Sequence, residues 1–269
     1  VAARRATRRG HFFCDYAGPF ACASLDGANG VHDFMDDATG YGAGISVNRK
    51  GDFHWVLRRF LIRFVYPHIP SMISLTTDCA KEYGWGPEGS QAVKSTCIEA
   101  NIDLRHGAPF NPNAQDTERL HRTVNTIMLY LMIQAGAPEI LWSPARSSAW
   151  EIYRCTPRRR PTRFTSRLSS PRHAFTGEPE DCGHLRVWGC LVHVLATPNC
   201  VKMKHIQAAG IAGIFIGYGH GEGSRYYIIY IPAENKIRHT RNVRFHEQRL
   251  PLADGTLIYT PGDCAFRWR

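Results

Sequence analysis

Seven apolar residues, Phe53, Val56, Leu57, Phe60, Leu61, Phe64 and Val65, recur three and four positions apart and stop before Pro67. One face of an α-helix collects residues at that spacing, and a proline ends it by removing a backbone donor. The flanking runs lack this period. HFFCDYAGP, VHDFMDD and YGAGISV before it, and SMISLTTD after it, are short, rich in β-formers and bounded by turn residues, as strands are. A weaker helical pattern covers GSQAVKSTCIEAN, and IDLRHG follows as a short strand. Helical spacing resumes from Thr117 through Leu120, Val124, Ile127, Met128, Leu131 and Met132 to the stop AGAP, and a last helix is expected from Leu141 to about Cys155. Helices interleaved with strands in this way cover a sheet, so residues 11–155 predict an α/β domain with a mixed sheet.

After Cys155 the pattern changes. Residues 156–176 are basic and carry Pro157, Pro161 and Pro171, which reads as a linker. Residues 177–250 hold LRVWGCLVHV, GIFIGYG, RYYIIYI and KIRHTRNVRF, β-rich runs separated by glycines and polar turns, which predict a small barrel or sandwich. Residues 1–10 and 251–269 are expected to be tails, the first of them basic.

The formal charge is +10, and its placement matters more than its size. Between Glu151 and Arg249 there are sixteen Lys or Arg against seven Asp or Glu, so the first part of the chain is close to neutral. Arg154, Arg158, Arg159, Arg160, Arg163, Arg167 and Arg172 follow one another with no acidic residue between Ile152 and Gly177. Such a cluster is what a polyanion partner requires, because each phosphate contact releases counterions; a solvated linker or a nuclear-import signal accounts for it equally well. The nine cysteines are odd in number and never spaced C-x-x-C, which fits reduced thiols better than a disulfide framework or a zinc cage. FLIRFVY is too short to span a bilayer and is broken by Arg63, and no apolar stretch follows the basic N-terminus as a secretory signal would need.

Three acids fall at element ends: Asp15 in the first strand, Asp78 after the fourth, and Glu118 near a helix start. Carboxylates converging on one sheet edge repel one another unless hard cations neutralise them, and Mg²⁺ takes such oxygen ligands. Spacing alone is a weak guide, because the chain has 23 acidic residues.

CDYAGPF resembles the D-x-x-G-P motif of integrases from copia-type long-terminal-repeat retrotransposons, and TTDCAKEYG resembles their second-aspartate motif. PFNPNAQDTERLHRT is similar to their P-x-x-P-Q-x-N-G-x-x-E-R segment. LWSPARSSAWEIYRCTP, FTGEPEDCGHLRVWGC, AGIFIGY and NVRFHE resemble the helix and small β domain that follow. The resemblance implies a ribonuclease-H-like catalytic core with a mixed five-stranded sheet, then a small SH3-like β-barrel. It also implies a catalytic triad of Asp15, Asp78 and Glu118 that holds two Mg²⁺ or Mn²⁺ ions for DNA 3′-end processing and strand transfer. Arg119, Arg122, Arg158, Arg159 and Arg160 are the expected nucleic-acid-binding residues. The implied partners are DNA, as element ends and target, and further copies of the chain, with no membrane and no small-molecule substrate. The implied setting is nuclear, after a stage in cytoplasmic virus-like particles. A catalytically inactive relic that keeps nucleic-acid binding is the alternative. Asp36 and Asp37 are read as structural, and Glu82 as a near neighbour of the site.

Two departures set further expectations. Cys79 and Ala80 stand where the family has Asn-Gly, which would shift the Asp78 loop if positive φ were needed there. The chain also has one residue fewer than the family between Pro112 and Glu118. A residue missing from the loop leaves Glu118 in place, whereas one missing from the helix rotates it by about 100°.

Overall fold

The computed structural model describes residues 9–107, 112–158, 168–179, 181–195, 210–221, 224–261 and 265–268. The chain divides into two compact units, Val1–Thr126 with Ala149–Gly183, and Ile127–Ser148 with His184–Arg269.

The first unit is built on a five-stranded sheet. β1 (His11–Ala17), β2 (Gly30–Asp36) and β3 (Gly42–Val47) form an antiparallel meander, while β4 (Ser74–Thr77) and β5 (Asp103–His106) run parallel to β1, giving the order β3-β2-β1-β4-β5. Parallel neighbours need crossovers, and α1 (Phe53–Phe60) and α2 (Gln91–Glu99) supply them. This is the mixed sheet expected, in a ribonuclease-H-like arrangement.

The apolar stripe of α1 is buried as its spacing requires: Phe53, Val56, Leu57 and Phe60 are at 0% exposure. The helix ends in a π-turn at Leu61–Val65, closed by Tyr66 N–H donating to Leu61 O at 2.9 Å. Phe34 of β2 stacks on Phe60 with centroids 4.0 Å apart and lies nearly parallel to Phe53 at 6.0 Å, so one sheet residue is clamped between two helix rings. Burial of this kind contributes about 2–3 kcal/mol per large side chain.

One helix starts earlier than the sequence expectation, and one was not expected at all. α3 (Pro112–Ala135) starts at Pro112 rather than Thr117; proline suits the first helical position, where its missing amide has no intrahelical partner. α4 (Trp142–Cys155) lies close to its expected span. The prolines of the expected linker do not all mark open chain, because Pro171 begins α5 (Pro171–Thr176). Ser170 caps this helix by accepting from His173 N–H at 3.1 Å, Gly177 ends it at φ 79°, and Phe175 is fully buried, stacked on Tyr41 at 4.3 Å.

In the second unit, α3 ends in a Schellman turn. Gly136 takes φ 62° while Gly136 N–H bonds Ile133 O and Ala137 N–H bonds Met132 O. β6 (Leu191–Leu195), β7 (Gly210–Gly221), β8 (Ser224–Ile231), β9 (Lys236–Thr240) and β10 (Val243–His246) form an antiparallel sheet in the order β10-β6-β7-β8-β9. KIRHTRNVRF, expected as one run, is therefore two strands on opposite edges. Four inter-strand spacings put the edges of a flat sheet about 19 Å apart, whereas the step from Thr240 to Val243 spans at most about 11 Å. The sheet must curl until its edges approach, which is the geometry of a small barrel. Trp188 fixes its entry, donating from Nε1 to Ile216 O at 2.8 Å. The segment expected to be a C-terminal tail instead carries a hairpin, β11 (Leu257–Thr260) with β12 (Ala265–Trp268).

Candidate carboxylate site

β1 and β4 carry the first two expected acids to one end of the sheet. Their parallel register pairs Phe13 with Thr76, so continuing it sets Asp15 beside Asp78, just past the last residue of β4. The two interact: burial pushes the Asp78 carboxyl above its ordinary range, the Asp15 and Glu82 charges push the same way, and Lys50 opposes them. Asp15 Oδ1 accepts from Tyr16 N–H at 2.7 Å, and its side chain is 47% exposed. The carboxylates thus face outward, open to a ligand. Glu82 stands in the 3₁₀ turn Lys81–Tyr83 as a close charge neighbour of Asp78.

The loop after Asp78 needs no glycine at position 80. Ala80 is extended at φ −99°, and the positive φ of the turn falls on Gly84 at 90°. Cys79 Sγ donates to Gly107 O at 3.2 Å, and His106 Nδ1 lies 3.1 Å from Thr77 Oγ1, so the ends of β4 and β5 are tied together.

Asp36 and Asp37 separate from the site. Asp36 is fully buried and accepts from Gly10 N–H and from both the amide and hydroxyl of Thr39, a turn-forming role. Asp37 N–H bonds His11 O. Behind the acids, burial lowers the His32 pKa to about 4, so its ring is neutral at pH 7. His32 Nε2 lies 3.2 Å from Lys50 O, which can only accept, so the proton is on Nε2 and Tyr83 OH donates to Nδ1 at 3.1 Å. Lys50 Nζ lies 5.6 Å above the Tyr16 ring and 5.7 Å above that of Tyr83, which places its charge beside the acids.

Glu118 belongs to α3, and its side chain lies outside the described residues. One turn further, His121 reaches the site: Nε2 is 3.8 Å from Asp15 Oδ2 and Nδ1 is 3.5 Å from Asp33 Oδ2. Asp33 is fully buried opposite Asp15 on β2 and accepts from Trp150 Nε1 at 2.8 Å. Sequence reasoning missed both His121 and Asp33, and no local pattern in VHDFMDD sets Asp33 apart from Asp36 and Asp37.

The expected basic residues have different surroundings. Arg119 and Arg122 are exposed on α3. Arg158 lies over the Tyr153 ring at 3.6 Å, and Arg159 and Arg160 lie outside the described residues. Two other arginines of the cluster hold the fold together. Arg154 donates to Gly42 O at 3.0 Å and pairs with the buried Glu151, and Arg172 pairs with the same carboxylate at 2.5 Å.

The two outward carboxylates, with their mutual repulsion, fit a hard divalent cation in an open site, and beside them His121 Nε2 is buried with no hydrogen-bond partner among the described residues. Asp15, Asp78 and His121 do not bring three ligand atoms within 4.8 Å of one another, so a cation here must draw on further ligands.

Residues 190–256 match the family described as the retroviral polymerase SH3-like domain. Among solved structures, the chain is similar to one from the simian T-cell lymphotropic virus intasome in complex with a PP2A regulatory subunit, B56 gamma. Identity is 13% over 90% of this chain and 80% of that one, with a TM-score of 0.48. No curated protein sequence matches the chain.

Proposed function

We propose that the chain is the integrase portion of a copia-type retrotransposon polyprotein, a polynucleotidyl transferase that processes DNA 3′ ends and joins them to target DNA. The observation that carries this is the strand register that sets Asp15 beside Asp78 at the ends of parallel central strands, with His121 of α3 facing Asp15. The match of the following β unit to a retroviral polymerase domain supports it. In this reading residues 11–155 are the catalytic core and residues 177–250 the small β domain. Nuclear DNA is the substrate, and several copies act together.

Asp15, Asp78 and Glu118 would hold Mg²⁺ or Mn²⁺. Bound divalent ions supply Lewis acidity and lower the pKa of the attacking hydroxyl. The chain's own work is positioning. The carboxylates fix charge at the scissile phosphate, Lys50 and Glu82 adjust the charge state of Asp78, and Arg119, Arg122, Arg158, Arg159 and Arg160 bind phosphates along the duplex.

The test is metal-dependent nicking and joining of labelled DNA by the purified chain. Asp15→Asn, Asp78→Asn and Glu118→Gln should each reduce turnover by at least about 100-fold while leaving DNA binding intact. Turnover unchanged in all three variants refutes the triad. Salt-sensitive DNA binding with no turnover in the wild type identifies the inactive alternative.

A further inference from the structure

We propose that His121 is a nitrogen ligand to the cation at Asp15, oriented by the buried Asp33, and that the site therefore prefers a transition ion such as Mn²⁺ to Mg²⁺. The inference rests on the reading that Asp15 binds a divalent cation, and it names a donor outside the Asp, Asp, Glu set.

The geometry is that of a carboxylate–histidine–metal chain. Trp150 Nε1 donates to Asp33 Oδ1 at 2.8 Å, which fixes that carboxylate and leaves Oδ2 facing His121 Nδ1 at 3.5 Å. A buried anion at that side favours the proton on Nδ1, so the lone pair of Nε2 is directed at Asp15 Oδ2, 3.8 Å away. Two electron-rich atoms that face each other in this way repel unless a metal ion or a proton lies between them. Nε2 is buried and has no hydrogen-bond partner among the described residues, an arrangement that is costly unless something binds there. Two metal–ligand bonds of about 2.1 Å span up to about 4.2 Å, so one ion can touch both atoms with little movement of either side chain. Mn²⁺ binds mainly oxygen but accepts an imidazole nitrogen more readily than Mg²⁺ does, and the later transition ions bind imidazole more strongly still.

The experiment is Mn²⁺ titration of the whole chain followed by electron paramagnetic resonance, with Mg²⁺ as competitor. The wild type should show nitrogen-14 modulation from a directly bound imidazole and bind Mn²⁺ at least about tenfold more tightly than Mg²⁺. His121→Asn and His121→Gln should lose the modulation and most of the preference, and Asp33→Asn should weaken Mn²⁺ binding by about tenfold. Absence of nitrogen modulation in Mn²⁺-loaded wild type overturns the inference without relying on any variant. Unchanged Mn²⁺ affinity in both His121 variants, with binding lost in Asp15→Asn, overturns the inference and leaves the cation reading standing. Binding that survives Asp15→Asn, or no binding by the wild type, overturns both.

Discussion

Asp33 and Trp150 form a buried hydrogen bond of 2.8 Å from indole to carboxylate, and the backbone beside it is cut to fit. A Cβ on Gly44, the register partner of Asp33, would meet Asp33 Oδ1 at 2.4 Å and Trp150 Nε1 at 2.7 Å. Trp150→Phe should cost about 2–3 kcal/mol by leaving a buried carboxylate short of a donor, and Gly44→Ala should destabilise by forcing the pair apart. Because both act on one bond, the double variant should lose less than the sum in urea unfolding.

The ring of Phe34 between Phe60 and Phe53 offers a second test. Phe34→Ala empties a fully buried position and should cost about 3–5 kcal/mol. Phe34→Leu should recover part of that. Denaturant midpoints measure both.

Stability should also depend on His32. The unfolded chain protonates this ring near its ordinary value of about 6.5, and the folded chain only near 4. Between those values the unfolded state holds more protons, so the contribution is full above the unfolded value and is lost as pH falls toward 4, by about 3 kcal/mol in all. Burial raises the Asp36 carboxyl, which acts in the opposite sense, so the comparison is between wild type and His32→Gln. Unfolding free energies from pH 7.5 to 4.5 should slope less steeply in the variant.

The arginines of the basic segment should separate by role. Arg154→Ala removes one of the two guanidinium partners of the buried Glu151 and the donor to Gly42 O, and should cost about 2–3 kcal/mol of stability. Replacing Arg159 and Arg160 together should leave stability unchanged and lower the slope of log affinity against log salt by about 0.9 for each phosphate that is no longer neutralised. Filter binding over a salt series, paired with thermal unfolding, distinguishes the two.

The order of elements was readable because α1 and the early strands carry strong periods. Val56 and Leu57 are buried because they lie on the apolar face of the helix, with nothing else deciding their position. The start of α3 was hidden because a proline at the first helical turn looks the same in sequence as one in a loop. Pro171 concealed α5 in the same way. The break at Arg241 and Asn242 was hidden because both halves of KIRHTRNVRF are good β sequence, and only closure of the sheet sends them to opposite edges. That Asp15 and Asp78 lie side by side was legible through motif resemblance. Asp33 was not, since its role depends on a tryptophan in a distant helix, and no local pattern distinguishes a buried acid with a partner from an exposed one.

The pairing of β1 with β4 has a consequence for the newly made chain. Between them lie β2, β3 and α1, so the two carboxylates meet only after a long loop has closed, a slow, entropically costly event in folding. A chain still leaving the ribosome, or one trapped half-folded, therefore holds these two acids apart until its central sheet is complete.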